Sequence, residues 1–281
     1  MTHEDRRDGA DGQTFGPDAG SASPGYIPVL LYHAVNEFSR AGLADFTTTP
    51  EMFARHVDVL SGYVERGWTP LLATDLSDVL RGTQAMPRHP FAVTFDDGYD
   101  DNAAAIAALA AVGIPSTIYV TASYVGQPGF LDAAQLRVLA ADGMVDVGAH
   151  SVRHRRLDEL SRSGIVGELR GSRAYLGEVT GTNITSVAYP HGNHDARVLA
   201  EVHNAGYTSG AAVKNALSRP GDDPLAVARW TVFAHHTADD ITSVMNGHAP
   251  VVGDGERLQT RVYRHARRCR ARARALVGRG R

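Results

Sequence analysis

Short apolar runs alternate with longer segments of helical periodicity along most of this chain, and that alternation predicts a parallel α/β fold. The run 91–95, rich in β-branched and aromatic residues, predicts a buried strand. It ends abruptly in Asp96, Asp97 and Gly98. The glycine permits a tight turn, and Asp100, Asp101 and Asn102 are expected to cap the alanine-rich helix that follows. Upstream, residues 28–32 predict a first strand with His33 at its end. Residues 49–62 predict a helix with Pro50 in its first turn and Phe53, His56, Val57 and Leu60 on one face. A second helix is expected over 73–81. Downstream, strands are expected at 116–121, 144–148, 185–189, 207–213 and 225–232, with helices at 132–141, 165–179 and 195–205. About seven strands separated by helices fit a (β/α)7–8 barrel, one domain over 25–245, better than an open sheet. In such folds the chemistry gathers at the C-terminal ends of the strands.

The two ends of the chain differ from this pattern. Residues 1–24 are polar, acidic and rich in Gly, Ser and Pro, too poor in apolar surface to offset their ordering entropy, and read as a disordered leader. Residues 246–281 read as a linker and an arginine-rich tail. The net charge of −3 conceals this asymmetry: ten of the 28 basic residues follow Glu256, which leaves 18 against 31 acidic residues and a body of about −13. A solvated tail is the simplest expectation; as a binder it fits an anionic membrane surface, and no specific nucleic acid partner is expected. No signal-peptide pattern and no apolar run of roughly 18 residues is present, so the chain reads as cytoplasmic, membrane-peripheral if the tail docks. No glycine pattern points to a nucleotide cofactor.

Cys269 is the sole cysteine, which excludes an intramolecular disulfide and a zinc–thiolate cluster. Any metal must therefore use histidine and carboxylate. His150 and His154 stand four residues apart directly after a predicted strand, a spacing that puts both imidazoles on one side of a helical turn. Together with one carboxylate they make a recurrent catalytic set for a divalent ion. The second carboxylate then has its own use, because a ligated carboxylate cannot also take a proton from attacking water, whereas its neighbour can. Adjacent side chains on a strand point oppositely, but at a strand-to-turn break both can face one cavity. A third stretch, Tyr189-Pro190-His191-Gly192, again follows a predicted strand, and its backbone N–H groups could point at a developing oxyanion.

Taken in order, these motifs resemble the polysaccharide deacetylase family, also called the NodB-homology domain or carbohydrate esterase family 4, over residues 28–230. Thr94-Phe95-Asp96-Asp97-Gly98 is similar to the family's first motif, in which the first aspartate is the catalytic base and the second a metal ligand. His150-Ser151-Val152-Arg153-His154-Arg155-Arg156-Leu157 is similar to its second motif, whose histidines complete the metal site. The third motif departs from the common Arg-x-Pro-Tyr form, with Ala188 in place of the arginine and His191 in place of the tyrosine. Its Tyr-Pro-x-Gly form is similar to members acting on poly-N-acetylglucosamine, in which the acid histidine moves to the N-terminal side. Tyr32-His33 matches that arrangement. Arg229 is a candidate for the missing guanidinium, although an ordinary surface salt bridge is the simpler expectation, and His235 and His236 are rival acids.

The resemblance implies a distorted (β/α) barrel and a metal-dependent hydrolase that removes N-acetyl groups from an N-acetylated glycan substrate. Asp97, His150 and His154 would hold the divalent ion, expected to be zinc; Asp96 would be the base, His33 the general acid, and the His191 N–H an oxyanion donor. An O-acetyl esterase or small-amide hydrolase on the same scaffold is the alternative, and a catalytically idle glycan-binding module stands further off.

Overall fold

The computed structural model describes residues 25–249. The expected leader over 1–24, the arginine-rich tail and Cys269 lie outside them. The strands are β1 (Val29–Tyr32), β2 (Ala34–Val35), β3 (Thr47–Thr48), β4 (Thr69–Leu71), β5 (Pro90–Phe95), β6 (Ser116–Val120), β7 (Val145–Ala149), β8 (Ser186–Ala188), β9 (Ser209–Ala211) and β10 (Trp230–Thr231). The helices are α1 (Pro50–Glu65), α2 (Ala73–Leu80), α3 (Asn102–Ala111), α4 (Ala133–Ala141), α5 (Arg162–Thr180), α6 (Ala196–Asn204) and α7 (Ala238–Met245).

Eight strands form one parallel sheet in the order β10-β1-β5-β6-β7-β8-β9, with β4 sharing the edge of β5 that β6 occupies further along. Eight strands fall within the expected (β/α)7–8 barrel, and of the eight only β4 has no counterpart among the seven strand runs expected from the sequence. Pro70 in β4 weakens its strand signal, and the position is tolerated because β4 pairs on one side only. The segment 225–231 spans the gap between the outer strands. Val227 bridges Ala211 of β9, and Trp230 and Thr231 then pair with Leu30 and Leu31 of β1. Gly210 permits this closure, since a Cβ there would stand 2.3 Å from the Leu225 carbonyl oxygen. The product is a distorted barrel with helices outside it.

Local chemistry explains the helix starts. Thr49 accepts the Met52 N–H with Pro50 in the first turn, Asp132 and Gln135 form a reciprocal capping box, and Asp195 accepts from Arg197 and Val198. Helix α7 was not anticipated, although Thr237 and Asp240 make a second capping box and Ile241, Val244 and Met245 are buried at helical spacing. The caps expected of Asp100, Asp101 and Asn102 do not form. Asp101 instead accepts the Val35 N–H at 3.1 Å and Asn36 Nδ2 at 3.3 Å, and Asn102 donates to the His33 carbonyl at 2.7 Å. These side chains tie the exit of β1 to the exit of β5.

Candidate active site

The site is built from strand exits. Strand β5 is buried along its full length and delivers Asp96 and Asp97 at its C-terminal end, where the backbone breaks. Asp97 lies at φ 75° and Gly98 at φ 86°, a left-handed pair that ends the strand's alternation and lets both carboxylates serve one cavity. Neighbouring β1 runs in register with β5, pairing Tyr32 with Phe95, so that His33 falls beside Asp96. The Asp96 N–H donates to the Tyr32 carbonyl at 3.0 Å.

Asp97, His150 and His154 converge, with their ligand atoms all within 4.8 Å of one another. Asp97 Oδ1 is 3.6 Å from His150 Nε2 and 3.2 Å from His154 Nε2, and the two Nε2 atoms are 3.1 Å apart. Asp97 Oδ1 is also buried with no hydrogen-bond partner, while Oδ2 accepts the Tyr99 hydroxyl at 2.9 Å. His150 Nδ1 faces the Ala188 carbonyl at 2.9 Å, which fixes its N–H there and leaves Nε2 bare. Burial holds the His150 pKa down at about 4, keeping the ring neutral, as a ligand must be. An orphaned carboxylate oxygen facing two imidazole nitrogens is a donor set that fits a small divalent cation.

The two histidines do not share a helical turn as their spacing suggested. Residues 150–154 form an irregular turn with Ser151 at φ 64° and His154 at φ 53°. Ser151 Oγ accepts the His154 N–H at 3.0 Å, and Glu168 of α5 accepts the N–H groups of Val152 and Arg153 at 2.8 Å each. Glu168 is buried and holds this turn from outside the motif. Its contribution depends on packing between α5 and the turn, which the local sequence does not announce.

The expectation of a surface salt bridge at Arg229 is overturned. Arg229 is fully buried and clasps Asp96 with Nη1 to Oδ1 at 2.7 Å and Nη2 to Oδ2 at 2.8 Å. Its remaining donors reach Thr94 Oγ1 and the Ala212 carbonyl, both at 3.2 Å. Burial alone would raise the Asp96 pKa, but the Arg229 charge and its hydrogen bonds, with His150 and His33, hold it down at about 2. Asp96 is therefore ionised and oriented. The signal was present in the sequence as a lone arginine inside the apolar run 225–232.

His33 Nδ1 is buried without a partner, and its ring lies 5.0 Å from Phe46. Burial lowers its pKa, opposed by the charges of Asp96 and Asp97. His191 occupies a turn at φ 58° after β8, and its ring packs edge-on against His154 at 4.6 Å; burial and the neighbouring cationic groups lower it to about 4. His235 and His236 engage Phe233 and Trp230 in ring contacts.

The fold and part of the sequence have counterparts among known proteins. Residues 83–210 match the model of the family described as polysaccharide deacetylase. A curated relative, the putative polysaccharide deacetylase YxkH of Bacillus subtilis, is 23% identical over 192 residues, 68% of this chain and 66% of its own. The fold is similar to that of the Streptococcus pyogenes deacetylase PplD, solved with acetate, at a TM-score of 0.70 and 20% identity over 78% of this chain and 98% of that one. It is also similar to that of IcaB from Ammonifex degensii, at a TM-score of 0.66 and 23% identity over 80% and 97%. The family match excludes both His33 and Arg229, which lie beyond its two ends. Residues 83–210, which run in order through the strand exits bearing Asp96, Asp97, His150 and His154, match the polysaccharide deacetylase family, a family of hydrolases.

Proposed function

We propose that this protein hydrolyses the N-acetyl groups of N-acetylhexosamine residues in a glycan, releasing acetate and a free amine. The observation that carries this reading is the juxtaposition of an Arg229-clasped Asp96 with three converging ligand atoms on Asp97, His150 and His154. A divalent ion held by those three residues, with zinc the best match to the donor set, would polarise an acyl oxygen and lower the pKa of water. Asp96 takes the proton of the water that adds to the acetyl carbon. Arg229 keeps both of its oxygens in place while it does so.

The oxyanion of the tetrahedral adduct is held by the His191 N–H. The C–N bond then breaks, and the amine nitrogen takes a proton from His33, without which an amide nitrogen is a poor leaving group. His33 stands beside Asp96 through the register of β1 on β5, and Asn102 fixes its backbone. An ester substrate needs this acid less, so His33 is what favours an amide. The experiment that tests the reading is acetate release from a panel of N-acetylated sugars, O-acetylated sugars and small amides, with and without a chelator. Chelator-sensitive release from N-acetylated sugars is expected; release confined to O-acetyl esters or small amides would overturn it.

A further inference from the structure

A set of aromatic rings leads outward from the ligand cluster and is not used by the chemistry above. Tyr124, in the turn after β6, lies 6.4 Å from the His154 ring; Phe130 lies 4.7 Å from Tyr124; Tyr99 stacks on Phe130 at 5.0 Å. Tyr99 is buried, whereas Tyr124 and Phe130 are each partly exposed. None of the three belongs to the hydrophobic core of the barrel. Two partly exposed rings beside a reacting centre need another explanation than packing.

Tyr99 and Phe130 are held rigidly from behind. Tyr99 bonds to Asp97 Oδ2 at one end, and the Arg40 guanidinium lies 5.0 Å from the Tyr99 ring and 5.7 Å from Phe130. Arg40 is itself paired with Asp100 at 2.7 Å and bonded to the Gly129 carbonyl. The backbone adds a Tyr99–Phe130 bridge and hydrogen bonds from Leu131 to Gly98 and from Asp100 to Gly129. Little ordering of Phe130 is therefore left to be lost on binding, and a fixed ring plane beside a polar centre suits an amphipathic ligand. A pyranose is one: its ring face presents C–H groups and its edge hydroxyls.

We infer that Tyr124 and Phe130 form a stacking subsite for the sugar ring that bears the reacting acetamido group, with Arg40 and Tyr99 as positioning residues behind them. A hexosamine spans the short distance from the histidines to Tyr124, with its acetamido arm at the ligand cluster and its ring over the aromatic face. This inference rests on the glycan reading of the site.

The test measures affinity apart from turnover. The zinc-loaded full chain carrying Asp96→Asn is titrated by calorimetry with tetramers of N-acetylglucosamine in β-1,4 and β-1,6 linkage, alone and combined with Tyr124→Leu, Phe130→Leu or Tyr124→Phe. Each leucine variant is expected to weaken binding about tenfold, and Tyr124→Phe to retain it. Unchanged affinity in both leucine variants overturns the subsite, and a loss in Tyr124→Phe equal to that in Tyr124→Leu replaces stacking by a hydroxyl contact. A leucine variant that melts early or loses zinc assigns the rings a structural role and also overturns it. Acetate release by the unmutated chain separates the two readings. Ring-dependent binding without release sinks the deacetylase reading and keeps the subsite, release with unchanged affinity does the reverse, and neither binding nor release overturns both.

Discussion

Arg229 reaches Asp96 from 133 residues away and donates to both of its oxygens, and both side chains are buried. The geometry follows from barrel closure, because the segment carrying Arg229 leaves β9 and joins β1 beside the exit of β5. Arg229→Lys cannot reproduce the two-pronged contact and is expected to lower kcat about 100-fold with a smaller change in KM. Arg229→Ala leaves a buried carboxylate unpaired, at a cost of about 3–5 kcal/mol in unfolding measurements at pH 7. The sign follows from a depressed pKa. The stabilisation is present above the unfolded carboxyl value near 4 and is lost as pH falls toward about 2, so Arg229→Ala should flatten that acid-side decline.

Adjacent Asp96 and Asp97 differ in their partners: Asp96 is clasped by a guanidinium, with His150 Nε2 at 3.8 Å, whereas Asp97 Oδ1 faces two imidazoles at 3.6 and 3.2 Å. Their substitutions should therefore separate. Asp96→Asn is expected to lower turnover about 10³-fold while zinc content, read by atomic absorption after dialysis, stays at one per chain. Asp97→Asn and His154→Ala should lose the metal together with the activity. Loss of zinc in Asp96→Asn would overturn the division of roles.

On the proposed mechanism, substitution of His33 would separate amide from ester hydrolysis. His33→Ala is expected to reduce kcat/KM on an N-acetylated sugar by about 10²–10⁴-fold and on an activated acetyl ester by far less. Because burial lowers the His33 pKa below its ordinary value, the protonated form is lost as pH rises through that lowered value. Amide turnover should accordingly fall on the alkaline side, and His33→Ala should abolish that limb. Equal losses on both substrates would remove His33 from the acid role.

Much of the candidate site was legible because its residues lie at strand exits, where short local patterns fix both the element and its end. Asp96, Asp97, His150 and His154 are of this kind. What the sequence concealed is tertiary. Glu168 holds the 151–153 turn from a helix, and Asn102 fixes His33 across a strand pair. The spacing of His150 and His154 suggested a helical turn, but two left-handed residues and the Ser151 hydroxyl bring the imidazoles together instead. Arg229 departs furthest from the surface salt bridge expected of it, because an arginine carried into the barrel by an apolar run is buried there, and a buried charge needs a partner.

Away from the candidate site, the partly buried Asp146 of β7 accepts the Ser186 hydroxyl of β8 at 2.9 Å. Burial, reinforced by the nearby charge of Asp75, raises its pKa to about 6 against the Ser186 hydrogen bond. A raised carboxyl binds a proton more tightly in the folded chain than in the unfolded one, so its linkage runs opposite to that of Asp96. Stability should decline as pH rises from about 4 to about 6 and level off above. Asp146→Asn keeps the shape and an acceptor for Ser186 but removes the charge. It is expected to stabilise the protein by about 2 kcal/mol at pH 7.5 and hardly at all at pH 4, read as a several-degree rise in Tm at the higher pH alone. An equal change at both values would mean that packing at Asp146, and not its ionisation, sets the response.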